Sequence, residues 1–257
     1  MPELFCAADD LTGALEVGAI WKTTVLAANG LAQTKDPAAC VVDTETRNVE
    51  PERACKTMRE LVAWARRRGV RRFFKKTDST LRGNIAVELG AVLDAWPGAP
   101  MVYLPAYPRL GRTCVQGRLL VQGVPVEQTA FAHDPRSPVK ESRIACLLKP
   151  HLHAPLRHAR HAAELEAELS IGAAGKVVIC DAQTENEMAA LVKVALAYPG
   201  PQLLAGPAGV ACYLVNNQTR DERNDAEAPF ATRTLTAGGS LHPASCAQME
   251  FQAQRGV

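Results

Sequence analysis

The sequence contains no apolar run that approaches the ~20 residues of a membrane-spanning helix. The first residues enter a strand-like segment at once, without the basic and then apolar regions of a secretory signal. We therefore expect a cytoplasmic protein without a membrane partner. The net charge of +2 and the apolar fraction of 47% indicate neither disorder nor nucleic-acid binding.

Metal-binding patterns are also absent. The eight cysteines include no Cys-x-x-Cys pair, and we interpret them as small buried apolar residues rather than zinc ligands or disulfide partners. His158 and His161 have the spacing of one helix face, but Arg157 and Arg160 beside them would repel a cation. We predict no metal site and interpret these histidines as part of a basic surface.

The two glycine-rich nucleotide motifs are missing. The first strand is not followed by Gly-x-Gly-x-x-Gly, and no Gly-x-x-x-x-Gly-Lys-Ser/Thr loop occurs, so neither a dinucleotide enzyme nor a P-loop kinase is indicated. Strand-like and helix-like segments instead alternate along the chain. This alternation predicts an α/β fold with a layered, mostly parallel sheet flanked by helices, and residues 114–126 suggest a hairpin near the site.

One predicted strand-to-helix turn, residues 75–84, contains two lysines, an aspartate, three hydroxyls and an arginine. In an open α/β sheet such turns lie at the carboxyl ends of the strands, where the free N–H groups of the next helix favour an anion. The turn therefore predicts a site for a small, polar, negatively charged ligand. The alternative is that a hydroxyl merely caps the helix while the cations are solvated.

Two further polar turns follow predicted strands. Asp9 and Asp10 end the first strand, and residues 43–47 follow the next buried segment. Adjacent carboxylates can bind a metal, accept sugar hydroxyls or hold a proton at a raised pKa, although an N-cap aspartate beside a solvated one is an alternative. Three polar strand ends in succession favour one shared site over three separate caps.

These turns belong to a series of motifs along the first part of the chain. The motifs are residues 8–14, 43–47, 75–84, 105–113 and 123–135. In order and spacing they resemble the motifs of the four-carbon acid sugar kinase family. The resemblance implies ATP-dependent phosphorylation of a tetronate or 3-oxo-tetronate at its terminal hydroxyl. It also implies an N-terminal acid-sugar domain joined to a C-terminal nucleotide-binding domain, with the reaction between them.

The resemblance also sets the expected domain organisation. We predict an acid-sugar-binding domain over residues 1–216, a charge-dense linker over 217–231, and an incomplete nucleotide-binding domain over 232–257, that is, a truncated second domain. By resemblance Ser240 and Gly239 contact ATP, and Mg²⁺ is required only with a complete nucleotide domain. The last 26 residues are too few for a core of their own, so we expect them to pack on the first domain or to exchange within a homodimer.

The chemistry of a four-carbon acid assigns roles to these residues. Its carboxylate needs a cationic fork, which Arg82 can form with Lys76 or Arg47, and its hydroxyls need acceptors, which Asp10 and Asp78 offer. Either aspartate can be the general base, and the sequence does not choose between them. The full candidate set for substrate binding is Asp9, Asp10, Arg47, Lys76, Asp78, Ser79, Arg82, Gly83 and Arg112.

Two other functions remain open at this stage. One is a binding module without catalysis, either a small-acid sensor or the remnant of a truncated kinase. The other is a metal-dependent hydrolase or aldolase in which Asp9, Asp10 and Asp78 are ligands. Chelator-sensitive metal content would separate the second from the kinase.

Overall fold

The computed structural model describes residues 3–28, 39–171 and 175–215, together with residues 247, 250, 251 and 254. By its internal contacts the chain divides into two units, Met1–Asn216 and Asn217–Val257. The fold described below is that of the first unit. The predicted linker and the predicted nucleotide contacts Gly239 and Ser240 lie outside the described residues.

Strands and helices alternate through most of the first unit. The strands are β1 Leu4–Ala8, β2 Val25–Ala27, β3 Ala39–Asp43, β4 Arg72–Lys76, β5 Met101–Tyr103, β6 Arg112–Val115, β7 Arg118–Val121, β8 Val124–Pro125, β9 Leu156–Ala159, β10 Val177–Cys180 and β11 Gln202–Gly206. The α-helices are α1 Leu11–Trp21, α2 Pro51–Arg67, α3 Ile85–Ala95, α4 Ile144–Leu148, α5 Ala162–Ser170 and α6 Glu185–Ala197. Among these described helices, none has the length and apolar character needed to cross a bilayer.

Eight of the strands form one sheet in the order β2-β3-β1-β4-β11-β5-β10-β9. Each of its seven strand pairings is parallel. The predicted α/β class with a mostly parallel, helix-flanked sheet is therefore confirmed. The predicted hairpin is a separate three-stranded antiparallel sheet, in the order β6-β7-β8.

The order of the strands reverses between β1 and β4. From β1 the chain passes through α1 towards β2 and β3 on one side, and α2 then carries it back across to β4 on the other side. Helix α1 packs against the 3₁₀ helix Ala208–Tyr213, whereas α2 packs against α3. In open parallel sheets, ligands bind in the crevice at the carboxyl ends of strands where such a reversal occurs. The fold therefore indicates the ends of β1 and β4 as the candidate site.

Strand β4 sends alternate side chains to opposite faces of the sheet. Phe73 packs against the tryptophan that follows α3, with ring centroids 5.5 Å apart, and Phe74 packs against the tryptophan at the end of α1, 6.3 Å away. Because side chains in a strand alternate with a period of two, Lys75 lies on the α3 side and Lys76 on the α1 side. These adjacent lysines consequently have different surroundings.

Helix α2 shows how the sequence produces the layer beneath the sheet. It begins with Pro51 at its first position, where the missing N–H costs no hydrogen bond. Its buried residues recur at helical spacing, and each fully buried large side chain contributes roughly 1.5–3 kcal/mol. They are Ala54, Met58, Leu61, Val62 and Ala65.

Candidate functional site

Side chains that follow β1, β3 and β4 meet in one network at the carboxyl edge of the sheet. Arg47, in the turn after β3, donates from Nε to Asp9 Oδ2 at 2.7 Å and from Nη2 to Asp10 Oδ1 at 2.6 Å. Lys76 Nζ donates to Asp10 Oδ1 at 2.8 Å and to Asp9 Oδ1 at 3.2 Å. Two cations thus hold the adjacent aspartates that follow β1.

The two aspartates differ in how many of their acceptor sites are used. Both oxygens of Asp9 accept hydrogen bonds, and its side chain is 2% exposed. Oδ1 of Asp10 accepts three hydrogen bonds, whereas Oδ2 accepts none from the described residues, and this side chain is 22% exposed. Asp10 therefore presents a free carboxylate oxygen at the edge of the network.

Charge keeps Asp9 ionised despite its burial. Burial alone would raise the pKa of Asp9, but the nearby positive charges of Lys76 and Lys75 and the hydrogen bonds from Arg47 lower it below its usual range. The network therefore holds at least one fixed negative charge under its exposed edge.

Asp10 also begins α1, because its Oδ1 accepts from the N–H of Gly13 at 3.2 Å. The helix-capping alternative is thus correct for Asp10, but it does not exclude the contacts to Arg47 and Lys76. A Cβ atom at Gly13 would lie 1.9 Å from Lys76 Nζ. The missing side chain at Gly13 therefore leaves the space in which Lys76 reaches the aspartates.

Asp78 and Arg82 form a second pair in the turn after β4. Arg82 donates to Asp78 from Nε at 2.9 Å and from Nη2 at 2.8 Å, a bidentate geometry. The backbone N–H of Thr80 donates to the same carboxylate at 3.0 Å, and the Thr80 hydroxyl also contacts it. Burial alone would raise the pKa of Asp78, but the hydrogen bonds and charge of Arg82 and the charge of Arg47 hold it well below its usual range.

Arg82 is the most exposed of the three cations in the network. Its Nη1 donates to Asp134 at 3.0 Å, and its guanidinium lies 5.5 Å from the ring centroid of Phe131. Together with the two bonds to Asp78, three of the five guanidinium N–H groups are used and two are free. The side chain of Arg82 is 26% exposed, against 11% for Arg47 and 6% for Lys76.

The remaining candidates lie in two places. Ser79 and Gly83 belong to the same turn as Asp78, and Gly83 has a φ of +92°. Within the described part of the chain, Ser79 makes no hydrogen bond through its hydroxyl, and the residue is half-buried. Arg112 lies instead on β6, where it contacts the carbonyl oxygen of Leu110. No described contact joins Arg112 to the network, so its assignment to the site stays a prediction.

A buried contact between a lysine and a glutamate beside the network was missing from the sequence-based set. Glu88, on α3, is 1% exposed, and its Oε2 lies 3.2 Å from Lys75 Nζ. The Thr46 hydroxyl contacts the other carboxyl oxygen of Glu88. Complete burial raises the pKa of Glu88 above its usual range. The signal in the sequence was a single carboxylate between apolar residues of α3, on the same face as Ile85 and Leu89.

A second cluster missed by sequence lies at the end of β10. Asp181 accepts from the backbone N–H of Gln116 at 2.7 Å and of Gly117 at 2.8 Å, and it lies 3.0 Å from His158 Nε2. His158 lies on β9 and His161 caps α5, so the two histidines do not share a helix face despite their spacing. Asp181 therefore fixes the β6–β7 turn to the main sheet.

The donor set does not favour a metal centre formed by the three aspartates. Oxygens of Asp9 and Asp10 contact Arg47 and Lys76, and those of Asp78 contact Arg82. A divalent cation would have to displace these positive groups. Within the ranges that the structure describes, no group of three or more His, Cys, Asp or Glu side chains has metal-binding geometry.

The sequence of this chain is similar to a sugar-binding domain family and to several kinases. Residues 4–214 match a family model described as a sugar-binding N-terminal domain. A D-threonate kinase of Bordetella bronchiseptica is 37% identical over 205 residues, which cover 75% of this chain and 49% of that protein. A 3-oxo-tetronate kinase of Burkholderia multivorans is 29% identical over 277 residues, which cover 96% of this chain and 63% of that protein. The chain spans about half the length of the first curated relatives it matches.

A solved structure shares the fold. It is a domain of unknown function from Bordetella bronchiseptica, crystallised with bound citrate as a domain-swapped dimer. The TM-score is 0.71 and the sequence identity 32%, over 83% of this chain and 55% of that one. The similarity covers most of this chain, in agreement with the extent of the family match.

Proposed function

Because the chain belongs to the four-carbon acid sugar kinase family and carries its sugar-binding N-terminal domain, we propose that it is the acid-binding half of an ATP-dependent kinase. The proposed substrate is a tetronate or 3-oxo-tetronate, phosphorylated at its terminal hydroxyl. One observation carries the proposal: the free oxygen of Asp10 and the free N–H groups of Arg82 belong to one connected network at the strand ends.

The connection runs through Arg47. Its Nη2 lies 2.6 Å from Asp10 Oδ1 and 3.5 Å from Asp78 Oδ1, and Asp78 is in turn paired with Arg82. A small hydroxy acid needs an anion-binding group and a hydroxyl acceptor a few ångströms apart. The two ends of this network supply one of each.

The carboxylate of the acid is assigned to Arg82. Arg47 also retains two unused N–H groups, but it is nearly buried, as is Lys76, and both cations bind the aspartate pair. Arg82 is a quarter exposed, so its two unused N–H groups are open to a ligand. The half-buried Ser79 in the same turn offers a further donor to the ligand. This choice narrows the three cations suggested by the sequence to one.

The hydroxyl acceptor is assigned to Asp10. Asp78 is surrounded by donors and its pKa is strongly lowered, which makes it a poor proton acceptor. Asp10 Oδ2 has no donor among the described residues. Asp10 is therefore the better of the two candidates for orienting a reacting hydroxyl and accepting its proton.

We assign no residue of this network to the nucleotide. When bound, ATP supplies the phosphoryl group, and Mg²⁺ neutralises the charge of its phosphates. The residues assigned to ATP by resemblance, Gly239 and Ser240, are outside the described residues. To the described residues we assign only the binding and orientation of the acid.

The assembly is proposed from the citrate-bound relative. That protein crystallised as a domain-swapped dimer, and we propose that this chain also forms a homodimer, with exchange of its C-terminal segment. Light scattering of the full chain and of a chain ending at residue 231 tests this. A dimer that persists without residues 232–257 would contradict the exchange, and a monomeric full chain would contradict the dimer.

Calorimetric titration of the purified chain with D-threonate, erythronate and citrate tests the acid site. Arg82→Ala should weaken binding by roughly 1.5–3 kcal/mol, the value of a lost charge-assisted hydrogen bond, which is about tenfold to 100-fold in Kd. Arg82→Lys keeps the charge but not the fork, and should give an intermediate loss.

Arg59→Ala is the matched control, because Arg59 is 63% exposed and pairs with Asp94 on the surface. It should leave Kd unchanged. An unaltered Kd in Arg82→Ala would remove Arg82 from the site. Failure of the unmodified chain to bind any of the three acids would contradict the proposed function itself.

A further inference from the structure

A buried chain of hydroxyl groups lies behind the network. Thr44 Oγ1 lies 2.7 Å from the carbonyl oxygen of Ala8 and 2.7 Å from Thr46 Oγ1, and Thr46 Oγ1 contacts Glu88 Oε1. All three polar side chains are buried. The chain of contacts runs from the end of β1 to α3 through the turn that carries Arg47.

The direction of these hydrogen bonds follows from a count of protons. A threonine hydroxyl has one proton, and a backbone carbonyl has none. Thr44 must therefore donate to Ala8, which makes Thr46 the donor to Thr44. Thr46 then has no proton left for Glu88. The proton between Thr46 and Glu88 has to come from the carboxyl group.

We propose that Glu88 is held as the neutral acid at neutral pH and is a positioning residue, whose carboxyl proton orients Thr46 and Thr44 and fixes the turn that presents Arg47 to the aspartate pair. The functional part of this inference rests on the proposed acid binding, because the position of Arg47 affects a ligand only if the acid binds there. The protonation state is independent of that function.

The surroundings of Glu88 agree with a neutral group. Oε2 lies 3.2 Å from Lys75 Nζ, but within the described residues it accepts no well-aligned hydrogen bond. A fully buried carboxylate with a poorly satisfied oxygen would be strongly disfavoured. Burial raises the pKa of Glu88, and the positive charge of Lys75 opposes this while the negative charge of Asp9 adds to it.

A neutral Glu88 also explains what Lys75 contributes. Lys75 Nζ donates to the carbonyl oxygen of Lys76 at 2.9 Å. With no carboxylate to cancel it, the charge of Lys75 acts on Asp9. Burial would raise the pKa of Asp9, and the charges of Lys76 and Lys75 are the main causes that lower it. The buried lysine thus helps to keep the site aspartate ionised.

Two substitutions of Glu88 test whether its side chain holds Thr46 by donating a hydrogen bond. In Glu88→Gln the amide N–H donates to Thr46 as the carboxyl O–H does, whereas Glu88→Met has similar length and no donor. With D-threonate or citrate, the glutamine variant should bind within about twofold of the unmodified chain, and the methionine variant about tenfold more weakly. Equal losses in both variants would show that a donor at position 88 does not hold the turn, and would overturn the positioning role.

Infrared difference spectra between the unmodified chain and Glu88→Gln give a direct readout. At pH 7 the unmodified chain should show the C=O stretch of a protonated carboxylic acid, which the variant lacks. Carboxylate bands in its place would overturn the assignment. This measurement needs no ligand, so it remains decisive for Glu88 if the chain binds no acid and the proposed function fails.

Variants of Thr46 test the positioning role against simple packing. Thr46→Ser keeps the hydroxyl and loses a methyl group, whereas Thr46→Val keeps the shape and loses the hydroxyl. The serine variant should retain acid affinity and the valine variant should lose it. The reverse order would show that Thr46 acts only through packing. Asp94→Asn, an exposed position on the same helix, is the control and should leave Kd unchanged.

Discussion

Asp10 and Asp181 both follow a strand at the same edge of the sheet, yet their oxygen atoms are used differently. Asp181 accepts two backbone N–H groups of the β6–β7 turn and contacts His158 and Cys114, and its side chain is 12% exposed. Asp10 has three donors on one oxygen and none, among the described residues, on the other.

The difference shows that the number of charged groups does not by itself identify a binding site. Asp181 accepts hydrogen bonds from groups of its own chain, and these bonds hold the β6–β7 turn. At Asp10 and Arg82 some hydrogen-bonding capacity is unused among the described residues, and the two side chains are 22% and 26% exposed. Unused donors and acceptors, rather than charge density, are therefore the feature by which we separate the proposed acid site from the Asp181 cluster.

We expect the largest effect on stability at Asp78. As in Asp181, both of its carboxylate oxygens accept hydrogen bonds from other groups of the chain. Asp78→Ala removes the partner of Arg82 and should lower the free energy of unfolding by about 3 kcal/mol. This is the lower end of the range for a broken buried pair, because Arg82 is 26% exposed. Urea denaturation at pH 7 measures the change. A loss no greater than that of Asp94→Ala would contradict the structural role of Asp78.

A related effect appears on acidification. The pKa values of Asp78 and Asp9 are lower in the folded chain than the usual value of about 3.9. Their contribution to stability is therefore present above about pH 4 and is lost as the pH falls further. The free energy of unfolding, measured between about pH 5 and pH 2, should decrease. Asp78→Asn should flatten this decrease, and an unchanged slope would contradict the lowered pKa of Asp78.

The proposed difference between Asp10 and Asp181 can be tested by measuring how tightly variants of each residue bind D-threonate. In Asp10→Asn the free acceptor oxygen can be replaced by an N–H₂ group, so binding of D-threonate should weaken by about 1.5 kcal/mol, slightly more than tenfold. Asp181→Asn makes the same chemical change at the same edge of the sheet and should leave Kd within about twofold. Calorimetry measures both. Equal losses in the two variants would end the distinction between the two clusters.

The smallest effect is expected on the β6–β7 turn. Asp181→Asn loses one of two hydrogen bonds to backbone N–H groups, which should cost about 1 kcal/mol. Amide hydrogen exchange of Gln116 and Gly117 should become faster, while exchange in β1 and β4 should not change. Uniformly unchanged exchange would show that Asp181 does not hold the turn.

Local patterns in the sequence indicated the alternation of strands and helices but not the order of the strands in the sheet. The predicted alternation is observed, with helices such as Pro51–Arg67 and strands such as Gln202–Gly206. The insertion of β11 between β4 and β5 had no local signal. Strand order depends on how crossover connections pack on the sheet, which the spacing of apolar residues does not determine.

The candidate site was likewise predicted only in part from the sequence. The sequence predicted that Asp9, Asp10 and Lys76 lie close together, because parallel strands end at one edge of a sheet. The structure has these contacts. The contact between Lys75 and Glu88 was missed because it depends on which helix covers which face of β4. The role of Asp181 was missed because its partners belong to a turn distant in sequence.

Gly13 makes this charged network vulnerable to a mutation that changes no charge. Alanine normally stabilises a helix relative to glycine by about 1 kcal/mol, so Gly13→Ala would pass as conservative in the first turn of α1. Here the added methyl group would lie 1.9 Å from Lys76 Nζ, which is too close for both groups to remain in place. The ammonium group would be displaced from both aspartates. A substitution that changes no charge would therefore remove an electrostatic contact of the site, because a lysine on a neighbouring strand occupies the space beside Gly13.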